Sequence, residues 1–249
     1  EGGESPRAQA GYADFIDEDR QYQGSIRQAR DRAYWLKRFA SVPEPLLAAR
    51  HPYRRATDEA PSRTWVQAFP DALHERMKRL AEAHQASAFH VLLAALHVLF
   101  SRSAQREDWV VGLPLLNRGG ARFKATLGTF VQVSAVPLAF SPALGFAELV
   151  VAIRDTLRRD FRHQRLAVSE LNRALGLLRE ERGQLFEVSV SYEQDDHDYR
   201  YGEASAHTVK VSNSHESTPL AIHLRSNRHN DKAWLHLVHH RAWLASDEA

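Results

Sequence analysis

A broad apolar helix face followed at once by an unbroken apolar strand is the feature that most narrows the folds open to this chain. Leu92, Leu93, Leu96, Leu99 and Phe100 recur at helical spacing over a wide face, and Ser87 is placed to cap the start of the segment. Trp109 to Leu116 then runs apolar with almost no alternation, the pattern of a strand buried on both sides. A helix of that kind packs against a sheet, so the chain reads as α/β, or layered α+β, with helices on a mixed β-sheet.

The flanking segments extend this layer. Glu1 to Gly11 is polar and Gly-rich and reads as a disordered lead-in. Tyr12 to Phe39 is helical, with Tyr12, Phe15, Tyr22, Ile26, Tyr34, Trp35 and Phe39 on one side. Pro43, Pro45, Pro52 and Pro61 mark an irregular connector from Ser41 to Arg63, ahead of a short strand from Thr64 to Phe69. A helix begins near Pro70 and Asp71, and a Gly- and Arg-rich loop, Asn117 to Gly128, separates the Trp109 strand from another at Phe130 to Leu138. Helices are predicted at Phe146 to Phe161 and Val168 to Arg179, then strands at Phe186 to Tyr192, His207 to Ser212, Leu220 to Ser226 and Ala233 to His239.

Composition removes several classes of function. With 249 residues and 43% hydrophobic content the chain can bury a sizeable core. A formal charge of only +2, with cations and acids interleaved, gives no footprint for nucleic acid. No cysteine is present, which removes disulfides, thiolate nucleophiles and Cys-type zinc sites and fits a cytoplasmic protein. The longest apolar stretch, Val91 to Phe100, is interrupted by His97 and falls short of the roughly 18 to 20 residues of a membrane span. No signal peptide or lipidation motif stands at the start, so the expectation is a soluble protein without membrane partners.

Self-contained catalytic patterns are absent: no G-x-S-x-G, H-E-x-x-H, Walker loop, G-x-G-x-x-G or S-x-x-K occurs. Glu193, Asp195, Asp196, His197 and Asp198 cluster after a predicted strand, but their spacing is not that of a calcium loop, and a solvated loop is the simpler account. His236 and His240 would share one face of a strand and His239 the other, so three-histidine zinc ligation would need distortion. His163 ends a helix, where an imidazolium suits the dipole, and it has no partner pattern for general base catalysis. No metal is expected.

Two blocks resist so generic a reading. Val110-Val111-Gly112-Leu113-Pro114-Leu115-Leu116-Asn117-Arg118 and Leu127-Gly128-Thr129-Phe130-Val131-Gln132 resemble the V-G-x-P-x-x-x-R and G-x-F-V-N-T motifs of nonribosomal peptide synthetase condensation domains. Tyr12-Ala13-Asp14-Phe15, Tyr34-Trp35, His163-Gln164 with Leu171, and the Phe186 to Tyr192 strand resemble further segments of that family in the same order. Asn117-Arg118-Gly119 and Ser191-Tyr192-Glu193-Gln194 have the flavour of starter-type domains, which acylate a first amino acid with a fatty acid. Gln132 stands where the family usually has Asn, no Pro follows His163-Gln164, and the R-D-x-S-R-x-P element is replaced at Leu178 to Gln184.

The resemblance implies a chloramphenicol-acetyltransferase-like lobe, one half of a two-lobed fold. Residues 12–63 would be the crossover helix and its connector and residues 64–249 the C-terminal lobe. The H-H-x-x-x-D-G motif that family members place at the tunnel centre is missing. His239-His240 does not replace it, since Arg-Ala-Trp-Leu follows. The motif belongs to the other, N-terminal lobe, so the fragment alone is expected to be inactive. Exposed tunnel and interface surface would make it weakly soluble or self-associating.

The implied chemistry joins a carrier-bound or fatty acyl thioester to the amine of an aminoacyl thioester. No cofactor is held directly, the substrates riding on the phosphopantetheine of carrier proteins. Partners would be the N-terminal lobe, donor and acceptor carrier proteins or acyl-CoA, and an adenylation domain. Tunnel candidates are Asn117, Arg118, Gly128, Phe130, Gln132, Ser134, Tyr192 and Gln194, with a segment near Ser212 to Leu220 as floor. For Asn117 and Arg118 closing a loop is the structural alternative, and for Phe130 and Gln132 core packing on a strand. Two other functions stay open: a non-catalytic carrier-docking lobe, and an acyl-CoA-dependent acyltransferase of the same fold.

Overall fold

The apolar strand and its covering helix are the centre of the molecule. The computed structural model describes residues 10–47, 62–118, 121–177, 183–195, 200–201, 204–205, 212–227 and 232–244. Helices α1 (Tyr12–Tyr22) and α2 (Ile26–Arg38) lead into β1 (Ser62–Phe69), α3 (Asp71–Ala83), α4 (Ala88–Ala104) and β2 (Asp108–Leu115). Then follow β3 (Gln132–Ala139), α5 (Phe146–Asp160), α6 (Val168–Ala174) and β4 (Val188–Asp195). A two-residue pair, β5 (Arg200–Tyr201) and β6 (Ala204–Ser205), precedes β7 (Leu220–Asn227) and β8 (Ala233–His240).

Six strands form one open mixed sheet in the order β1-β8-β7-β4-β2-β3. The inner neighbours β7, β4 and β2 run parallel, and the remaining pairs are antiparallel. Trp109, Val111 and Leu113 alternate with Val110 along β2, and each of the four is at most 2% exposed, as an unbroken apolar run requires. One face of the sheet takes the helices: Trp109 of β2 bonds His97 of α4, and Tyr192 of β4 lies 3.0 Å from His74 of α3.

The structure departs from the sequence pattern in three places. The helix expected over residues 12–39 is two helices, parted at Gly24 with φ +74°, a conformation that glycine adopts at no steric cost. Ser25 caps the second, its Oγ accepting from the Gln28 amide at 3.2 Å. Strand β3 starts at Gln132 instead of Phe130, because Phe130 is drawn into an aromatic cluster with Tyr12, Phe15 and Phe123. Helix α6 stops at Ala174, and the chain turns at Gly176 with φ +73°. The strand expected at His207 to Ser212 lies outside the described residues apart from Ser212, which is not in a strand. So do residues 1–9 of the expected lead-in.

His97, the polar interruption of the α4 face, is explained by a bond. Its Nδ1 accepts from the indole Nε1 of Trp109 at 3.0 Å, and Trp109 is fully buried. Burial lowers the imidazole's pKa from 6.5. The unfolded chain therefore takes up protons before the folded one does. The stability gained from neutral His97 is whole above about pH 6.5 and declines as pH falls below it. We expect thermal melts followed by tryptophan fluorescence to be level above that pH and to fall below it. His97→Gln should reduce the slope without abolishing it, since the pKa values of His90, His239 and His240 are lowered as well.

Candidate active-site cleft

Strands β2 and β4 are paired at only two positions, Val111 with Val188 and Gly112 with Ser189. Beyond them no register pair joins the strands, while each keeps its outer neighbour, β3 or β7, along its whole length. The sheet thus splits toward the carboxyl ends of a parallel pair, the place where open α/β sheets hold ligands. An open cleft of about 1300 Å³ occupies the split. Leu113 to Arg118 line one side of it and Val190 to Gln194 another, with Phe15, Arg27, Phe161 and Arg165 among the other lining residues.

Four of the eight residues singled out from sequence line this cleft: Asn117, Arg118, Tyr192 and Gln194. Asn117 turns the chain off β2 with φ +48°, a left-handed conformation that Asn tolerates better than most residues. Arg118 ties down the loop that follows. Its Nη1 donates to the carbonyls of Phe123 (2.8 Å) and Thr126 (2.6 Å), and its guanidinium lies 4.1 Å from the centroid of the Phe130 ring. The closing of a loop, expected for this pair, is what Arg118 does.

The other four stand behind the lining. Phe130 is 3% exposed and precedes β3, so it does not share an open strand face with Gln132. The Gln132 side-chain amide donates to the Gln164 carbonyl, and Ser134 is 6% exposed within β3. Gly128 has φ +147°, and a Cβ there would stand 2.3 Å from the Tyr12 ring. Gly112, the motif's first glycine, has the Phe186 ring where a Cβ would go. Both motif glycines are therefore close approaches of backbone to an aromatic ring.

His163 is similarly structural. Its Nδ1 lies 2.8 Å from the fully buried Asp31 carboxylate, its ring stacks on Tyr34 at 3.9 Å, and its carbonyl accepts from Trp35 Nε1. The Tyr22 hydroxyl donates to Asp31 as well, at 2.9 Å, and burial with that carboxylate raises the phenol's pKa. His236 and His240 fall on one side of β8 and His239 on the other, as alternation requires. Among the described residues no group of three or more His, Asp or Glu is placed to hold a metal ion. The expected floor segment is anchored to the start of β1: the Ser62 amide donates to Ser214 O at 3.0 Å, and the Glu216 amide to Ser62 Oγ at 2.9 Å.

Sequence reasoning missed a polar network beside the cleft. Ser191 and Glu193 stand on one face of β4, opposite His223 and Arg225 of β7 in register. Ser191 Oγ is 2.7 Å from His223 Nδ1 and donates to Glu193 Oε1 at 2.9 Å, and Arg225 Nη2 is 2.9 Å from Glu193 Oε2. The His223 bond and the Arg225 charge hold the Glu193 carboxyl down at a pKa of about 2. In the sequence Glu193 belongs to the Ser191 to Gln194 block and opens an acidic run, but nothing local marks it as a strand residue with cross-strand partners. Asp196, His197 and Asp198 of that run lie outside the described residues.

The architecture is an α/β layer of helices on an open mixed sheet, with a ligand-sized split at the ends of its central parallel strands. The Condensation domain family profile matches residues 1–240, and the chain belongs to that family. It is similar to the condensation domain of the monacolin K polyketide synthase MokA, at 21% identity and TM-score 0.81 over 95% of this chain and 57% of that one. It is similar too to the starter condensation domain of the rhizomide synthetase RzmA, in a doubly substituted form solved with C8-CoA and Leu-SNAC. That match has 22% identity and TM-score 0.76 over 99% of this chain and 54% of the other. A curated relative, the dimodular nonribosomal peptide synthase of Bacillus subtilis, is 28% identical over 166 residues, 67% of this chain and 7% of that protein. The chain thus spans a small part of the synthetases it resembles and just over half of these solved domains.

Proposed function

We propose that this chain is the C-terminal lobe of a condensation domain, with residues 12–63 crossing over and residues 64–249 forming the lobe, and that it walls one side of an amide-forming tunnel. The split between β2 and β4 carries this reading. A cleft flanked by two strand edges suits a narrow amide-bearing arm such as phosphopantetheine, with aromatic and aliphatic side chains against its methylenes. Asn117, Arg118, Tyr192 and Gln194 are the residues of this wall. Gly128, Phe130, Gln132 and Ser134 shape it from behind.

In this function an acyl thioester is attacked by the amine of an aminoacyl thioester; the C–N bond forms, the C–S bond breaks and the thiol leaves with a proton. The lobe contributes by holding one reactant, and proximity of that kind can lower a barrier by about 7 to 11 kcal/mol. The reacting histidine of H-H-x-x-x-D-G would come from the N-terminal lobe, and the carrier proteins, with an adenylation domain, would supply the substrates in the cytoplasm. Likeness to a starter domain favours a fatty acyl donor.

Mass spectrometry of a condensation assay tests this. The full-length protein that carries the chain, given acyl- and aminoacyl-loaded carrier proteins, should form the amide, and residues 1–249 alone should form none. Amide formation by the isolated chain, or no product from the full-length protein with any acyl carrier or acyl-CoA donor, would overturn the reading.

A further inference from the structure

Two carboxylates line the cleft, Glu18 and Glu193, and they differ in position. Glu18 is held by an ion pair with Arg122. Glu193 rises from strand β4, at the split itself, with its side chain 46% exposed. A cross-strand ion pair with Arg225 needs one carboxylate oxygen, Oε2. The other, Oε1, receives the Ser191 hydroxyl at 2.9 Å and lies 3.4 Å from His223 Nδ1. With the serine proton on Glu193, the short 2.7 Å contact makes His223 Nδ1 a donor to Ser191 Oγ. The network is thereby ordered in one direction, from imidazole through hydroxyl to carboxylate.

A carboxylate has roughly four acceptor positions, and Ser191 and Arg225 take two of them, with the His223 ring close by. We propose that Glu193, oriented by Ser191, His223 and Arg225, binds the primary amine of the acceptor substrate through a free acceptor position on the cleft side. The choice of ligand follows from charge and capacity. The Glu193 carboxylate itself offers only acceptors, so it suits an N–H group. Arg225 offsets the negative charge, which matters for chemistry: an uncompensated carboxylate would hold the amine as ammonium, whose lone pair is occupied. A neutralised carboxylate still accepts an N–H bond from the free amine and directs its lone pair away from the strand. The low pKa of Glu193 keeps it an acceptor throughout the neutral range.

This inference rests on the condensation reading, and it is tested by binding as well as turnover. Using the full-length protein, calorimetry with alanine methyl ester and with N-acetylalanine methyl ester compares a free with a blocked amine. The free amine should bind at least about tenfold tighter, and Glu193→Gln should remove that preference while leaving the blocked ester unchanged. Ser191→Ala, which keeps the ion pair, should weaken the free amine about threefold with an unaltered melting temperature, so the site stays testable if Glu193→Gln misfolds. Equal binding of the two esters, no binding of either, or a preference that survives the substitutions would overturn the site. In turnover, Glu193→Gln should raise the acceptor KM with little change in the donor KM. Amine binding without amide formation would sink the condensation reading and leave the site. Amide formation with an unchanged acceptor KM would do the reverse.

Discussion

Replacing Arg38 with methionine should cost about 3 kcal/mol of stability, seen as a shift of roughly 6 to 12 °C in melting temperature for a domain of this size. The reason is what Arg38 leaves behind. Asp160 ends α5 with no solvent exposure, and Arg38 meets it through Nε at 3.2 Å and Nη2 at 3.1 Å. The same Nη2 donates to the Pro137 carbonyl of β3 at 2.8 Å, so a single guanidinium joins α2, α5 and the sheet edge. Tyr34 also donates to Asp160, and burial with that carboxylate pushes the phenol up to about 12. Methionine fills the space of the stem and supplies no donor. The carboxylate is then buried with only the phenol, and breaking a buried pair from one side is among the costlier substitutions. Urea unfolding checks the value. Arg38→Lys, which keeps the charge but cannot span both acceptors, should fall between; a loss under about 1 kcal/mol for methionine would show that the pair contributes little.

Gly112→Ala should be the most damaging single methyl in the sheet, at about 1 to 3 kcal/mol. The new Cβ would stand 2.4 to 2.8 Å from three atoms of the Phe186 ring, which is 5% exposed and has little room to move. Either the ring rotates out of its packing or β2 shifts from β4. The clash has a specific remedy. Phe186→Leu shortens the side chain, so the double variant should be more stable than the sum of the two single changes predicts, with a coupling of about 1 kcal/mol. Strict additivity would place the strain elsewhere.

These two sites show how much of the molecule is legible in its sequence. The layer of helices on a sheet follows from periodicity alone, because the α4 face and the β2 run each bury residues in a pattern that survives without knowledge of neighbours. Gly112 is visible as part of a motif, yet its purpose is not, since Phe186 lies on a segment more than 70 positions away in sequence. Arg118 stands out as a tunnel candidate and does line the cleft, but its main bonds go to carbonyls of an irregular loop that carries no periodic signal. The apolar neighbours of Phe130 point to a strand, while the rings of Tyr12, Phe15 and Phe123, gathered from α1 and the loop, decide its place. The Glu193 network is illegible for a topological reason. Its members meet only through the parallel register of β4 and β7, and a parallel pair has no tight turn from which register can be read.

The split between β2 and β4 also divides the sheet mechanically. Within the sheet, two register pairs, at Gly112 and its neighbour, join the β2–β3 ribbon to the four-stranded block of β4, β7, β8 and β1. A seam so short bends more easily than a full ladder, and it lies at the closed end of the cleft, like the rivet of a pair of tongs. Small rotations there translate into larger changes of gap at the mouth. At that base the side chain of Phe186 fills the space a methyl on Gly112 would need.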